Sequence, residues 1–166
     1  MVLFTIVLWI HVIGAIGWLG AAMVFGMIVA PGLAKLSPQS RADFVLTVVP
    51  KYLRYMVAFA VVTLVFGIGS VIAFANGNYS VMSMSTSFGM YISAGALLAL
   101  VAFGIGVGVA IPAAYKVIKI TKSMAGNTGT PAPELTAASK RMRIGSTVSM
   151  VILVLVTIFM VAGATL

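Results

Sequence analysis

Across residues 2–30 the chain is apolar almost without interruption, and no charged side chain occurs before Lys35. Three further runs, 53–75, 88–111 and 145–166, have the same character. A helix needs about 20 apolar residues to cross the hydrocarbon core of a bilayer, and each run meets that length. Lipid offers a backbone no hydrogen-bond partners, so each run is expected to satisfy its own polar groups as a helix. The fold class that follows is all-α: a polytopic membrane protein, a four-transmembrane-helix bundle forming a single domain over residues 1–166. The first run lacks a basic n-region and continues past the length of a signal h-region, so it reads as a retained span.

The charges decide the orientation. Lys35, Arg41, Lys51 and Arg54 lie between the first two runs or at the start of the second. Lys116, Lys119, Lys122, Lys140, Arg141 and Arg143 lie between the third and fourth, whereas NGNYSVMSMSTS (76–87) carries no charge. The positive-inside rule therefore places both basic connections in the cytoplasm and both termini outside, with the cell (plasma) membrane as the expected location. A formal net charge of +8 would suggest nucleic acid in a soluble protein. Here anionic lipid headgroups at the cytoplasmic loops account for it, and no nucleic-acid partner is expected.

Within the first connection, SPQSRADFVLTVVP (37–50) has the signals of a short surface helix. Ser37 suits an N-cap, Pro38 the first helical position, and Pro50 a stop. Phe44, Val45, Val48 and Val49 are expected to face the lipid boundary, with Arg41 and Asp43 in water. Tyr52 and Tyr55 beside Lys51 and Arg54 suit an interfacial belt. The third helix is expected to run past Pro112 through YKVIKITK and to break at AGNTGTPAP (125–133). Two internal echoes occur: FGIGSVIA (66–73) with FGIGVGVA (103–110), and Pro31/Lys35 with Pro112/Lys116. Duplication of a helical hairpin and chance both account for them.

His11 is the only histidine, and it stands inside an apolar span. At 100° per residue His11, Gly14, Ala15, Trp18, Ala22 and Phe25 form one stripe, expected to face the bundle. An ionisable side chain at that depth, roughly 13 Å in from the outer end, is a functional candidate. Similar depths fall near Gly67, Ala96 and Thr157. Three roles compete: ligand to copper or a haem iron, proton relay, or hydrogen-bond donor to another helix, with Thr157 as one acceptor. Gly14, Gly17, Gly20, Gly67, Gly69, Gly104, Gly106 and Gly108 allow either close helix packing or room for a flat cofactor.

One histidine excludes bis-histidine ligation within the chain. A haem b would take Met90 or Met160 as its second ligand, an open position or another subunit. For copper, Met82 and Met84 in the outer loop supply thioethers, which suit Cu(I). Met23 and Met27 form a further pair one turn apart. Methionine also fills gaps in any apolar core. There is no cysteine, which excludes thiolate sites and disulfides. Asp43 and Glu134, the only acids, fall in separate connections, so no intramembrane carboxylate serves acid–base chemistry or proton-driven transport. An enzyme is not expected.

HVIGAIGWLGAAMVFGMIVAPGL resembles the first helix of the copper resistance D-like integral membrane proteins. The matching positions are His11, Trp18, Gly20 and Pro31, and PKYLRYM resembles the start of that family's second helix, with Arg54 in the basic position. The likeness covers residues 1–75, and the remainder in general layout. It implies a small polytopic protein of copper handling, or of haem as in the similar membrane-embedded protoporphyrinogen oxidases. The other expectation is an accessory subunit that holds no cofactor and packs with other membrane subunits or in a homo-oligomer.

Overall fold

A computed structural model describes residues 2–124 and 133–165. Four helices are long and apolar enough to span a membrane: α1 (Val2–Leu33), α3 (Val49–Ala75), α4 (Ser87–Ser123) and α5 (Pro133–Thr165). A short helix, α2 (Pro38–Thr47), joins α1 to α3. The chain is an all-α, multi-pass membrane protein.

The helices overrun the apolar segments at the basic end. α4 continues through Pro112 to Ser123, and α5 already begins at Pro133. The second set of cations therefore sits on helical extensions, where Lys116 Nζ lies 3.4 Å from Glu134 Oε2. Of the break expected at 125–133, all but Pro133 lies outside the described residues. The connection at the other end is compact. Asn76 closes α3 with φ of 45° and Gly77 follows at φ of 86°, a left-handed turn that suits Asn and Gly. Thr86 then caps α4 by accepting from the Gly89 N–H at 3.0 Å.

α1 and α4 each contain one π-helical turn, Phe25–Val29 and Gly106–Ala110, placed identically before Pro31 and Pro112. A proline ring crowds the carbonyl four residues back and removes one donor. The helix widens to absorb it: the Ala30 N–H reaches the Phe25 carbonyl, and the Ile111 N–H that of Gly106.

α1 packs along α3, and α4 along α5. The two hairpins meet around Trp18, Ala60, Ala102 and Leu153, and again at the basic end around Phe25, Val45, Val49, Leu53, Ala114 and Val117. The shift that carries Pro31 onto Pro112 also carries Gly14 onto Gly95 and His11 onto Ile92. Gly14 abuts Thr63 of α3, and Gly95 abuts Met160 and Phe159 of α5. Gly67 of α3 abuts His11, and Gly163 of α5 abuts Ile92. The two hairpins thus use small residues at equivalent places. This matches α1 with α4, as the Pro/Lys echo does; the FGIG echo pairs α3 with α4 and has no such counterpart.

The linking helix departs from expectation. Ser37 does cap it, accepting from the Ser40 N–H at 3.2 Å. Its apolar face does not lie on lipid, however: Val45 and Val49 are buried, and Phe44 packs on the same cluster. Val48 alone stays exposed. The cause is the extension of α4, whose Ala114 and Val117 give α2 a protein surface to bury against. Pro50 belongs to the first turn of α3 instead of ending α2, because a proline there forfeits no intrahelical bond. Tyr52 stacks its ring on Phe25 at 4.2 Å, while Tyr55 remains exposed.

Candidate functional site: a histidine between two helices

The expected stripe on α1 faces inward, with Gly14, Trp18 and Phe25 buried and His11, Ala15 and Ala22 half-buried. His11 meets α3. Its Nδ1 lies 2.7 Å from the Thr63 carbonyl oxygen. A carbonyl can only accept, so Nδ1 carries the proton and, in the neutral ring, Nε2 keeps the lone pair.

Glycine makes this approach possible. A Cβ at Gly67 would stand 2.9 Å from His11 Nδ1 and 3.0 Å from Cε1. A turn further along α1, a Cβ at Gly14 would stand 2.9 Å from Thr63 Oγ1. Thr63 is held on its own side by donating Oγ1–H to the Phe59 carbonyl at 2.7 Å. Gly17 receives the Phe59 ring, and Gly69 lies against Val7. The notches between α1 and α3 are filled by protein side chains, which favours close packing over room for a flat cofactor.

Thr157, the acceptor considered from sequence, bonds within its own helix, donating to the Leu153 carbonyl at 3.0 Å. The residue that sequence reasoning missed is Thr63. Gly67 at the matching depth was the available signal, but the acceptor is a backbone atom, which residue identity does not reveal. The second hairpin has its own polar staple at another level: Ser149 Oγ–H donates to the Ala102 carbonyl at 2.9 Å.

The methionines fall on other elements. Met160 packs against Gly95 between α4 and α5. Met90 and Met84 are exposed. Met82 is half-buried, with its backbone folded over Gly89. Met23 and Met27 are both exposed on α1. Among the described residues no three of His, Cys, Asp or Glu come together as a metal-holding group. Any metal at His11 would rest on one imidazole with thioether or external ligands.

The interior cavity at the level of Trp18, Tyr52, Phe103 and Ser149 measures about 70 Å³. Pockets that take organic ligands span roughly 300–1,000 Å³. That cavity does not reach His11, and one ion at the Nε2 of His11 requires no such volume. Comparison of the chain with family models, with curated proteins and with solved structures finds no match.

Proposed function

We propose that this is a plasma-membrane protein that handles copper, with its basic end in the cytoplasm and His11 Nε2 as the ligating atom. The observation that carries this reading is the bond from Nδ1–H to the Thr63 carbonyl. Metal-binding histidines donate their other ring N–H to a carbonyl or carboxylate, which fixes tautomer and ring orientation. His11 has that arrangement. Thioethers on the same side of the membrane, Met82 and Met84 in the loop or Met90 and Met160 on the second hairpin, are the soft partners that suit Cu(I). Haem b is the poorer occupant, because the notches beside His11 are filled by protein side chains.

The test is Cu(I) titration of the purified protein against a chromophoric chelator, with metal analysis and an absorption spectrum. Bound copper that falls at least tenfold in affinity in His11→Ala supports the reading. A Soret band would assign haem in its place. Folded protein with neither metal nor Soret band rejects both.

A second reading, an accessory subunit without a cofactor, draws on the outward face of α1. Ile6, Trp9, Ile13 and Ile16 are all more than half exposed there and offer a broad apolar face to other helices or to a second copy. Native electrophoresis of solubilised membranes separates the two, since this reading requires a large assembly and no metal.

A further inference from the structure

At the basic end a groove of about 390 Å³ opens between α4 and α5. Its walls are Ile105 and Val109, at the π-helical turn of α4, and Ile144, Gly145 and Val148 of α5. Lys140 and Arg141 stand at its mouth, beside Ala137. Gly145 lets α5 press against Val109 and Ala110, so the groove floor is backbone and small side chains. From Lys140 to Val148 the groove follows α5 for about 12 Å, from the cationic end toward the apolar mid-span.

We infer that this groove is a binding site for one anionic phospholipid, whose phosphate sits between Lys140 and Arg141 and whose acyl chain lies along Ile144, Val148, Ile105 and Val109. The charge at its mouth suits an anion. Among the described residues neither Lys140 nor Arg141 has an acidic partner, because Glu134 pairs with Lys116 and Asp43 lies on α2. Arginine offers a planar fork to phosphate oxygens and lysine a point charge, a pair matched to a phosphodiester. The apolar walls exclude a free phosphate as the preferred occupant, because most of the groove surface gains only from hydrocarbon. The groove length below the cations matches a chain that starts at headgroup level and runs inward.

The proposal is tested by reconstituting the full chain in vesicles of phosphatidylcholine alone or mixed with phosphatidylglycerol. Retained lipid is then counted by native mass spectrometry after extraction. One phosphatidylglycerol is expected to stay bound in preference to phosphatidylcholine. Replacing both cations, K140Q with R141Q, should lower that retention on the order of tenfold. Val148→Trp, which keeps the charges and fills the groove, should lower it as well. Lys119→Gln, a cation outside the groove, should leave it unchanged. Equal losses in Lys119→Gln and in the double variant would mean diffuse attraction to the surface and overturn the site. So would full retention in Val148→Trp, or no preference for the anionic lipid. Circular dichroism of each variant in the same vesicles confirms that the helices persist.

Discussion

His11 carries no unmet polar cost on its Nδ1 side, and the means is an absent side chain. Gly67 admits the imidazole to within hydrogen-bond distance of the Thr63 carbonyl. In lipid such interhelical bonds contribute about 0.6–2 kcal/mol. Adding one methyl group at Gly67 should therefore cost more than helix propensity returns. Gly67→Ala is expected to destabilise the protein by about 1–3 kcal/mol and to release the ring. Gly20→Ala, where nothing lies within 4 Å, should be neutral or slightly stabilising. Thermal unfolding in detergent, with ¹⁵N spectra of the imidazole, reads both effects. Unchanged stability and an unchanged Nδ1–H signal in Gly67→Ala would contradict the geometry. The inward face of position 11 was legible in the sequence, because the small and aromatic residues of its stripe mark the side toward the bundle. Its partner was not, since a backbone acceptor and the register between α1 and α3 depend on how two helices pack.

The four spans were legible because hydrophobic length follows directly from bilayer thickness, and so were the run of α4 past Pro112 and the Ser37 cap of α2; the start of α5 at Pro133 and the burial of α2 were not. Helical extensions beyond the membrane carry charged residues, so hydropathy marks them as loop. α2 shows the consequence. Taken alone, Phe44, Val45, Val48 and Val49, from the end of α2 to the start of α3, read as a lipid-facing stripe; packed against the extension of α4, Val45 and Val49 are core. Arg41 adds a second tie, donating from Nε to the Leu33 carbonyl at 2.9 Å and from the guanidinium to Ala34 at 3.0 Å. These carbonyls lie at the end of α1, where a cation also meets the favourable end of the helix dipole. Placing a charge in the buried face should detach the helix. Val45→Asp is expected to cost about 2–5 kcal/mol, the range for losing a buried aliphatic contact. Hydrogen exchange should then rise across Pro38–Thr47 and spare the mid-span of α3. Protection kept at the parent level would show that α2 does not depend on this contact.

The bundle as a whole is two similar hairpins of which only the first carries a histidine. Pro31 and Pro112 follow matching π-helical turns, and Gly14 and Gly95 each admit a side chain from the partner helix. Gly67 and Gly163 face equivalent positions on α1 and α4, occupied by His11 in one hairpin and Ile92 in the other. In the first hairpin the imidazole bonds the carbonyl four residues before the glycine; the same step from Gly163 leads to the carbonyl of Phe159. If small residues and helix register create the site, the second hairpin already contains its outline. Ile92→His should then fold with a loss of no more than about 1–2 kcal/mol, because the new ring finds an acceptor instead of remaining unsatisfied. Its ¹⁵N spectrum should show a second imidazole protonated at Nδ1, like that of His11. A ring protonated at Nε2, or a loss of several kcal/mol, would mean that the likeness of the two halves stops at the backbone and that the notch at Gly67 is a feature of the first hairpin alone.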